Sequence, residues 1–107
     1  MIEIAYCPEQ NRLLVEGHAG FDLPGKDPVC AGASMLVQTY AAVCNSMDKL
    51  GWTTKPTQVS MEPGRARIKA FPSNRTCYAA RCKLDAIAEG LALLADHYPQ
   101  YVNFKID

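Results

Sequence analysis

The chain lacks any imbalance of charge, has few histidines and contains no long apolar run. Eleven Lys and Arg residues balance eleven Asp and Glu, so the formal net charge is zero. No long-range field would draw such a chain to a nucleic acid or an anionic membrane, and no direct nucleic-acid binding is expected. No apolar run reaches the roughly 18 residues of a membrane-spanning helix, and the N-terminal MIEIAYCPEQ has no basic stretch leading into an apolar one. These absences point to a soluble cytoplasmic protein with no membrane partner. With His18 and His97 as the two imidazoles and no CxxC, zinc ligation would need a scattered set, so no metal or other cofactor is expected. The cysteines, Cys7, Cys30, Cys44, Cys77 and Cys82, are odd in number and spread along the chain, which argues against a disulfide framework.

What is present is the makeup of one folded unit. The 107 residues are 49% apolar and 21% charged, and at this length one core is the rule, so residues 1–107 read as a single domain. Ile2, Ile4 and Tyr6 alternate with Glu3 and Ala5, the period of a strand with one buried face. Turn residues fill Cys7 to Arg12, and Leu13 to Glu16 reads as a second strand ending at Gly17. The segment from Ala19 to Pro28 is too rich in Gly, Pro and Asp for regular structure. Its end, Asp27-Pro28, has the form of a helix start, Asp as cap and Pro in the first helical place. Val29, Ala33, Leu36, Tyr40, Val43, Met47 and Leu50 then form one apolar stripe, and Gly51 suits its stop.

Two strands, about 58–62 and 65–71, join at Pro63-Gly64. A second helix over 77–98 carries Leu84, Ile87, Leu91, Leu94 and Tyr98 on one face, with Gly90 inside it at a cost of roughly 1 kcal/mol against Ala. A last strand is expected over 101–106. The order ββαββαβ, with one apolar stripe per helix and one apolar face per strand, predicts an α+β two-layer sandwich. Both helices would pack on one face of a mostly antiparallel sheet, leaving the other face to solvent or a second subunit.

The stretch GHAGFDLPGKDPVCAGAS, Gly17 to Ser34, sets His18 12 residues before Cys30. Cys30 falls in the first helical turn, where unpaired backbone N–H groups favour negative charge and could hold an oxyanion during acyl transfer. A helix N-terminus and a nearby imidazolium are surroundings in which cysteine becomes a nucleophile. Phasing puts Cys30 about 100° from the centre of the stripe and in line with Ser34, on the flank of the core and facing the loop. Against this stands a plain alternative: a cysteine in a first helical turn is more often packing than chemistry. His18, between Gly17 and Gly20, is equally a polar turn residue. Spacing does not choose between them, since an extended segment of that length spans up to about 40 Å.

The pattern Gly17-His18-Ala19-Gly20, Gly25, Asp27, Val29-Cys30-Ala31 and Ser34, with the ending YPQYVNF, resembles the ribosomal-processing cysteine protease family, Prp. The element order over the whole chain is similar as well. The resemblance implies a small, homodimeric, cytoplasmic cysteine endopeptidase of bacteria. Such an enzyme removes a short N-terminal extension from large-subunit ribosomal protein twenty-seven, cutting after an aromatic residue. It implies Cys30 as the nucleophile and His18 as the general base and later acid. Gly17, Ala19, Gly20, Asp27, Ala31 and Ser34 become supporting or substrate-binding positions, with Asp27 as helix cap or orienter of the imidazole and Ser34 as a hydrogen-bonding group in the cleft. The loop from Ala19 to Lys26 matches a segment expected to order over the bound peptide.

Two positions depart from the family pattern. Pro28 stands where an aliphatic residue is usual and fits the first helical place, while Gly32 replaces an alanine and either loosens the first turn or makes room for substrate. Two further readings stay open: a phage-type relative that processes a virion protein, and a non-catalytic dimeric binding module. Elsewhere, Cys77 and Cys82 point about 140° apart on a helix and read as ordinary helix thiols. Cys7 and Cys44 read as core thiols, and His97 as a cation at a helix end. Trp52, Tyr40, Tyr78 and Tyr98 read as core or interface, and Arg65, Arg67 and Lys69 as a solvated basic row along one strand.

Overall fold

The computed structural model describes residues 1–23 and 25–107. β1 (Ile2–Cys7) and β2 (Arg12–Glu16) form a hairpin whose turn is a 3-10 helix at Pro8–Gln10, closed by Asn11 at φ 50°. α1 (Pro28–Lys49), β3 (Gln58–Glu62), β4 (Arg65–Lys69), α2 (Cys77–His97) and β5 (Val102–Ile106) follow. The sheet order is β3-β4-β2-β1-β5, antiparallel throughout except for β1 beside β5. β2 therefore runs the same way as β3, and β4 the same way as β5. Parallel strands need a crossover rather than a tight turn, and α1 and α2 supply the two crossovers.

One face of the sheet is apolar, as the alternation predicts. Ile2, Ile4, Tyr6, Leu13, Val15, Ile68 and Val102 join Tyr40 and Met47 of α1 and Leu84 and Leu91 of α2 in one core. Full burial of a side chain such as Leu84 contributes about 1.5–3 kcal/mol. The opposite face carries Glu3, Glu16, Arg65 and Arg67, all exposed, with Arg65 3.6 Å from Glu16. Cys7 and Cys44 are buried thiols; Cys77 and Cys82 are exposed ones. Among the described residues no helix is long and apolar enough to cross a membrane.

The buried face of α1 is rotated from the expected stripe. Val37, Ala41 and Cys44 are buried with Val29, Ala33, Tyr40 and Met47, whereas Leu36 and Val43 are half-buried and Leu50 is exposed beyond the helix end. The sheet covers one flank of the helix and α2 the other. Leu36 meets α2 at Gly90, where an added Cβ would stand 3.0 Å from Leu36 Cδ2, so the glycine inside α2 permits this close crossing.

Several boundaries differ from expectation: β1 runs on to Cys7 and β2 begins at Arg12, each one residue into the expected turn. β4 ends at Lys69 because the chain turns to a new partner: Phe71 O accepts from Thr54 N, and Pro72, without an N–H, makes only an isolated bridge with Thr53. α2 stops at His97, whose Nδ1 lies 2.9 Å from Leu93 O in the last turn, and Tyr98 is its cap. β5 begins one residue later, at Val102. Tyr78 is 79% exposed and belongs to no core. The irregular stretch before Pro28 is irregular at residues 19–23 and 25–27; Pro24, within Leu23-Pro24-Gly25, lies outside the described residues.

Candidate active site

α1 begins where the side chain of Asp27 closes it. Asp27 Oδ1 accepts from Val29 N at 2.9 Å and Cys30 N at 3.0 Å. Its Oδ2 accepts from Phe21 N at 3.0 Å and Asp22 N at 3.2 Å, so one carboxylate ties the preceding loop to the helix. Asp27 is the one buried charged side chain among the described residues. Burial resists its charge, but the four amide donors outweigh that and hold the carboxyl below the usual carboxylate range. Ala31 N donates to Asp27 O, and Pro28 has no N–H. The first-turn amides are thus all occupied, which overturns the expectation that they would hold an oxyanion. Of the two roles expected for Asp27, it is the helix cap that forms.

Cys30 is half-buried, and its Sγ accepts from Ala19 N at 3.2 Å. Because that amide directly follows His18, standard backbone dimensions put His18 Cα within about 5.6 Å of the sulfur. The imidazole itself turns toward the β3–β4 hairpin: Nε2 is 2.8 Å from where a Cβ on Gly64 would stand. Gly17 N donates to Gly64 O at 2.8 Å, so the segment bearing His18 is pinned between the start of α1 and the hairpin turn. Among the described residues no hydrogen bond joins His18 to Cys30; the thiol takes its bond from Ala19.

Both residues open into one cleft of about 460 Å³. Ile2, Val15 and Ala66 lie along its floor, Cys30, Ala33, Ser34, Val37 and Gln38 along the α1 wall, and Met61 to Arg65 along the hairpin wall. The cleft exists because β3 lies outside the cover of α1. All five β3 residues are exposed, including Val59 and Met61, which pair with Ile68 and Ala66 and so share the apolar face. An uncovered apolar strip of sheet therefore runs beside the thiol.

The other expected positions divide. Gly17 needs to be glycine, since at φ 97° an added Cβ would stand 2.2 Å from Met1 O. Ser34 lies in the cleft wall, where its hydroxyl accepts from Gln38 Nε2 at 3.0 Å. Gly20 and Ala31 are exposed and do not line the cleft. Gly32 faces α2, with Leu94 Cδ1 3.6 Å from its Cβ position, so it does not make room for substrate. Val37, Gln38, Met61 and Gly64 were not foreseen as site residues. Val37 was hidden by the rotated stripe, and Gly64 read only as a turn. Phe21, a lone aromatic in a loop of Gly, Pro and Asp, was the available signal for a loop anchor; its ring meets those of Tyr98 and Tyr101 at 5.7 and 5.1 Å.

A thiol in the first turn of a helix, a histidine on the loop hydrogen-bonded to that thiol, and an open apolar cleft shared by both define a candidate cysteine peptidase. The sequence matches the model of the family described as cysteine protease Prp over residues 1–103, and the chain belongs to that family. The fold is similar to that of an essential ribosomal processing protease Prp from S. aureus in complex with a covalently linked product peptide: TM-score 0.75, 19% identity, 100% of both chains covered. The same S. aureus protease in complex with a substrate peptide gives a TM-score of 0.69 at 18% identity, again over 100% of both chains. SMU.848 from Streptococcus mutans gives 0.65 at 22% identity, covering 98% of this chain and 90% of that one. No protein with a curated description matches the sequence.

Proposed function

We propose that residues 1–107 form one cysteine endopeptidase domain that removes the short N-terminal extension of large-subunit ribosomal protein twenty-seven, with Cys30 as nucleophile and His18 as general base. The observation that carries this reading is the shared cleft: Cys30 and His18 line the same groove, and the amide that follows His18 is hydrogen-bonded to the thiol. Family membership supports the reaction class, and the S. aureus relative, described as a ribosomal processing protease, supports the substrate class.

The chemistry follows from the positions. A peptide lying between α1 and the hairpin brings its scissile carbonyl to Cys30. His18 takes the thiol proton, and the sulfur attacks the carbonyl carbon, forming a C–S bond and a tetrahedral oxyanion. The helix amides are already bound to Asp27, whereas the Ala19 N–H, which already points at the sulfur, is a donor beside the place where that oxyanion forms. As the intermediate collapses, the C–N bond breaks and His18 returns the proton to the leaving amine. Water, activated by His18, then hydrolyses the thioester and frees Cys30. Gly17 and Asp27 hold the loop in place, and Ser34 presents a hydroxyl to the peptide. The enzyme on this reading is a cytoplasmic homodimer that needs no cofactor, and light scattering at twice the chain mass would bear on the dimer.

The test is incubation with the precursor ribosomal protein followed by mass measurement. The expected result is a single cut that releases the extension. Cys30→Ala should lose at least about 10³-fold in rate and His18→Ala about 10²- to 10⁴-fold, both with unchanged folding. Full processing by Cys30→Ala would sink the assignment, whereas cleavage of a virion protein instead of the precursor would change the substrate and keep the chemistry.

A further inference from the structure

The β3–β4 turn meets the His18 segment twice, once at the ring of His18 and once at the backbone of Gly17. Its central residues are Pro63 and Gly64, and Gly64 takes φ 76°, the left-handed value needed at the third position of a turn with proline second. A turn of this kind does not by itself require glycine, because asparagine adopts the same backbone at modest cost. What asparagine cannot do is leave the Cβ position empty. At Gly64 that position is 2.8 Å from His18 Nε2 and 3.5 Å from Cδ2 and Cε1, so an added Cβ would push the imidazole off this place, a movement the end of an exposed side chain can make. The carbonyl of the same residue accepts from Gly17 N at 2.8 Å, fixing the backbone just before the histidine. Gly64 lines the cleft together with His18 and Cys30.

We propose that Gly64 is the positioning residue of His18: its bare Cα is the seat of the imidazole at the mouth of the cleft, and its carbonyl holds the strand end from which the ring swings to Cys30. This rests on the reading of His18 as general base. Gly51 provides the internal control, since it has nearly the same φ, 75°, with nothing within 4 Å of its Cβ position. Substitution there brings the backbone strain without the collision.

The experiment compares Gly64→Asn and Gly51→Asn in the full chain, by turnover of the precursor peptide and by the ring resonances of the two histidines. Gly64→Asn should lower kcat about 10²-fold with KM within about threefold, and should shift the His18 ring signals but not those of His97. Gly51→Asn should leave all of these unchanged. A Tm cycle adds a readout that needs no activity: the Tm loss caused by Gly64→Asn should be smaller in the His18→Ala background, where the ring is gone and only the backbone strain is left. If Gly64→Asn does not fold alone, the double variant should. Equal Tm losses in both backgrounds, or wild-type kcat in Gly64→Asn beside an inactive His18→Ala, would overturn the proposal alone. Full activity in His18→Ala would overturn the reading beneath it.

Discussion

α1 carries near each end an aspartate that holds the adjoining loop, and the two ends differ in what lies beside the carboxylate. At the start, Asp27 gathers four backbone amides, two from the helix and two from the loop that carries His18. Near the end, Asp48 Oδ1 accepts from Thr53 Oγ1 at 2.9 Å and Thr57 Oγ1 at 3.1 Å, and Oδ2 accepts from Thr57 N at 2.9 Å. Burial resists both charges and the donors outweigh it, so both carboxyls stand below the usual range. The helix field assists Asp27 and opposes Asp48, because the peptide dipoles present their positive end at the N-terminus. Asp48 is tolerated there because its own loop surrounds it with donors. A similar tie thus serves a connection at one end and the proposed nucleophile at the other, and that thiol sits at the end where the field favours the tie.

Breaking each tie should separate the two ends most sharply. Asp27→Ala frees the loop from the helix and with it the Ala19 amide and His18. It should lower kcat/KM about 10²-fold, as expected when reacting groups shift by about an ångström, and lower Tm by several degrees. Asp48→Ala should lower Tm by a similar amount, yet leave kcat/KM within about twofold when assayed well below Tm. Asp27→Asn keeps one oxygen acceptor, and Asn caps helices well, so its activity should fall by more than its Tm implies. Equal activity losses from Asp27→Ala and Asp48→Ala in such assays would erase the distinction between the ends.

The start of α1 is legible in the sequence because Asp27-Pro28 states its own chemistry: a capping oxygen, then a residue that needs no N–H. The strands are legible from alternation, and both helices from their stripes. The parallel pairing of β1 with β5 is not, since alternation tells which face is buried but not which strand lies alongside. The rotation of α1 is also hidden, because a wide apolar arc does not say how much of it the sheet covers and how much α2 covers. Within the site, Cys30 and His18 stand out by residue type and pattern. The seat at Gly64 and the anchor at Tyr98 and Tyr101 are contacts between distant parts of the chain, which only the fold brings together. The occupied first-turn amides are a third such case: Asp27 predicts the cap, but not that the cap leaves no donor over.

Titration gives a smaller contrast. Asp27 and Asp48 are both lowered, so the unfolded chain takes up protons first as pH falls. Their contribution is present at neutral pH and is lost below about 4. On the alkaline side, burial and then the charge of Asp48 push the Cys44 thiol up to about 12. Burial raises Tyr6, helped by its hydrogen bond to Asp85, and burial followed by Cys44 raises Tyr40. Here the unfolded chain loses protons first, near about 8.5 for the thiol and about 10 for the phenols, so stability falls as pH rises above those values. Tm measured against pH should therefore be flat from about 5 to 8 and fall on both sides. Asp27→Asn and Asp48→Asn should each flatten the acid limb, and only Asp48→Asn should also reduce the alkaline loss. An alkaline limb that responds to Asp27→Asn and not to Asp48→Asn would contradict this assignment.

The smallest contrast lies in the outer anchors of the two loops. Phe21, 44% exposed, meets Tyr98 and Tyr101 edge to face, with interplanar angles of 78° and 83°. At the other end Lys55 Nζ lies 4.2 Å from the centre of the Phe71 ring. Half-exposed contacts of both kinds contribute about 0.5–1 kcal/mol, so Phe21→Ala and Lys55→Ala should shift Tm by similar, small amounts. They should part in kinetics. Phe21 lies between Ala19, which meets the thiol, and Asp27, which holds the loop, so releasing it leaves the binding-competent loop less populated. KM for the precursor peptide should rise about threefold with kcat within twofold, because a competent fraction that falls by that factor weakens apparent affinity equally. Lys55→Ala should leave both constants unchanged, since among the described residues none of its loop lines the cleft. Michaelis constants measured at one temperature decide it: an equal rise in KM for both variants would show that anchoring either loop serves only the stability of the fold.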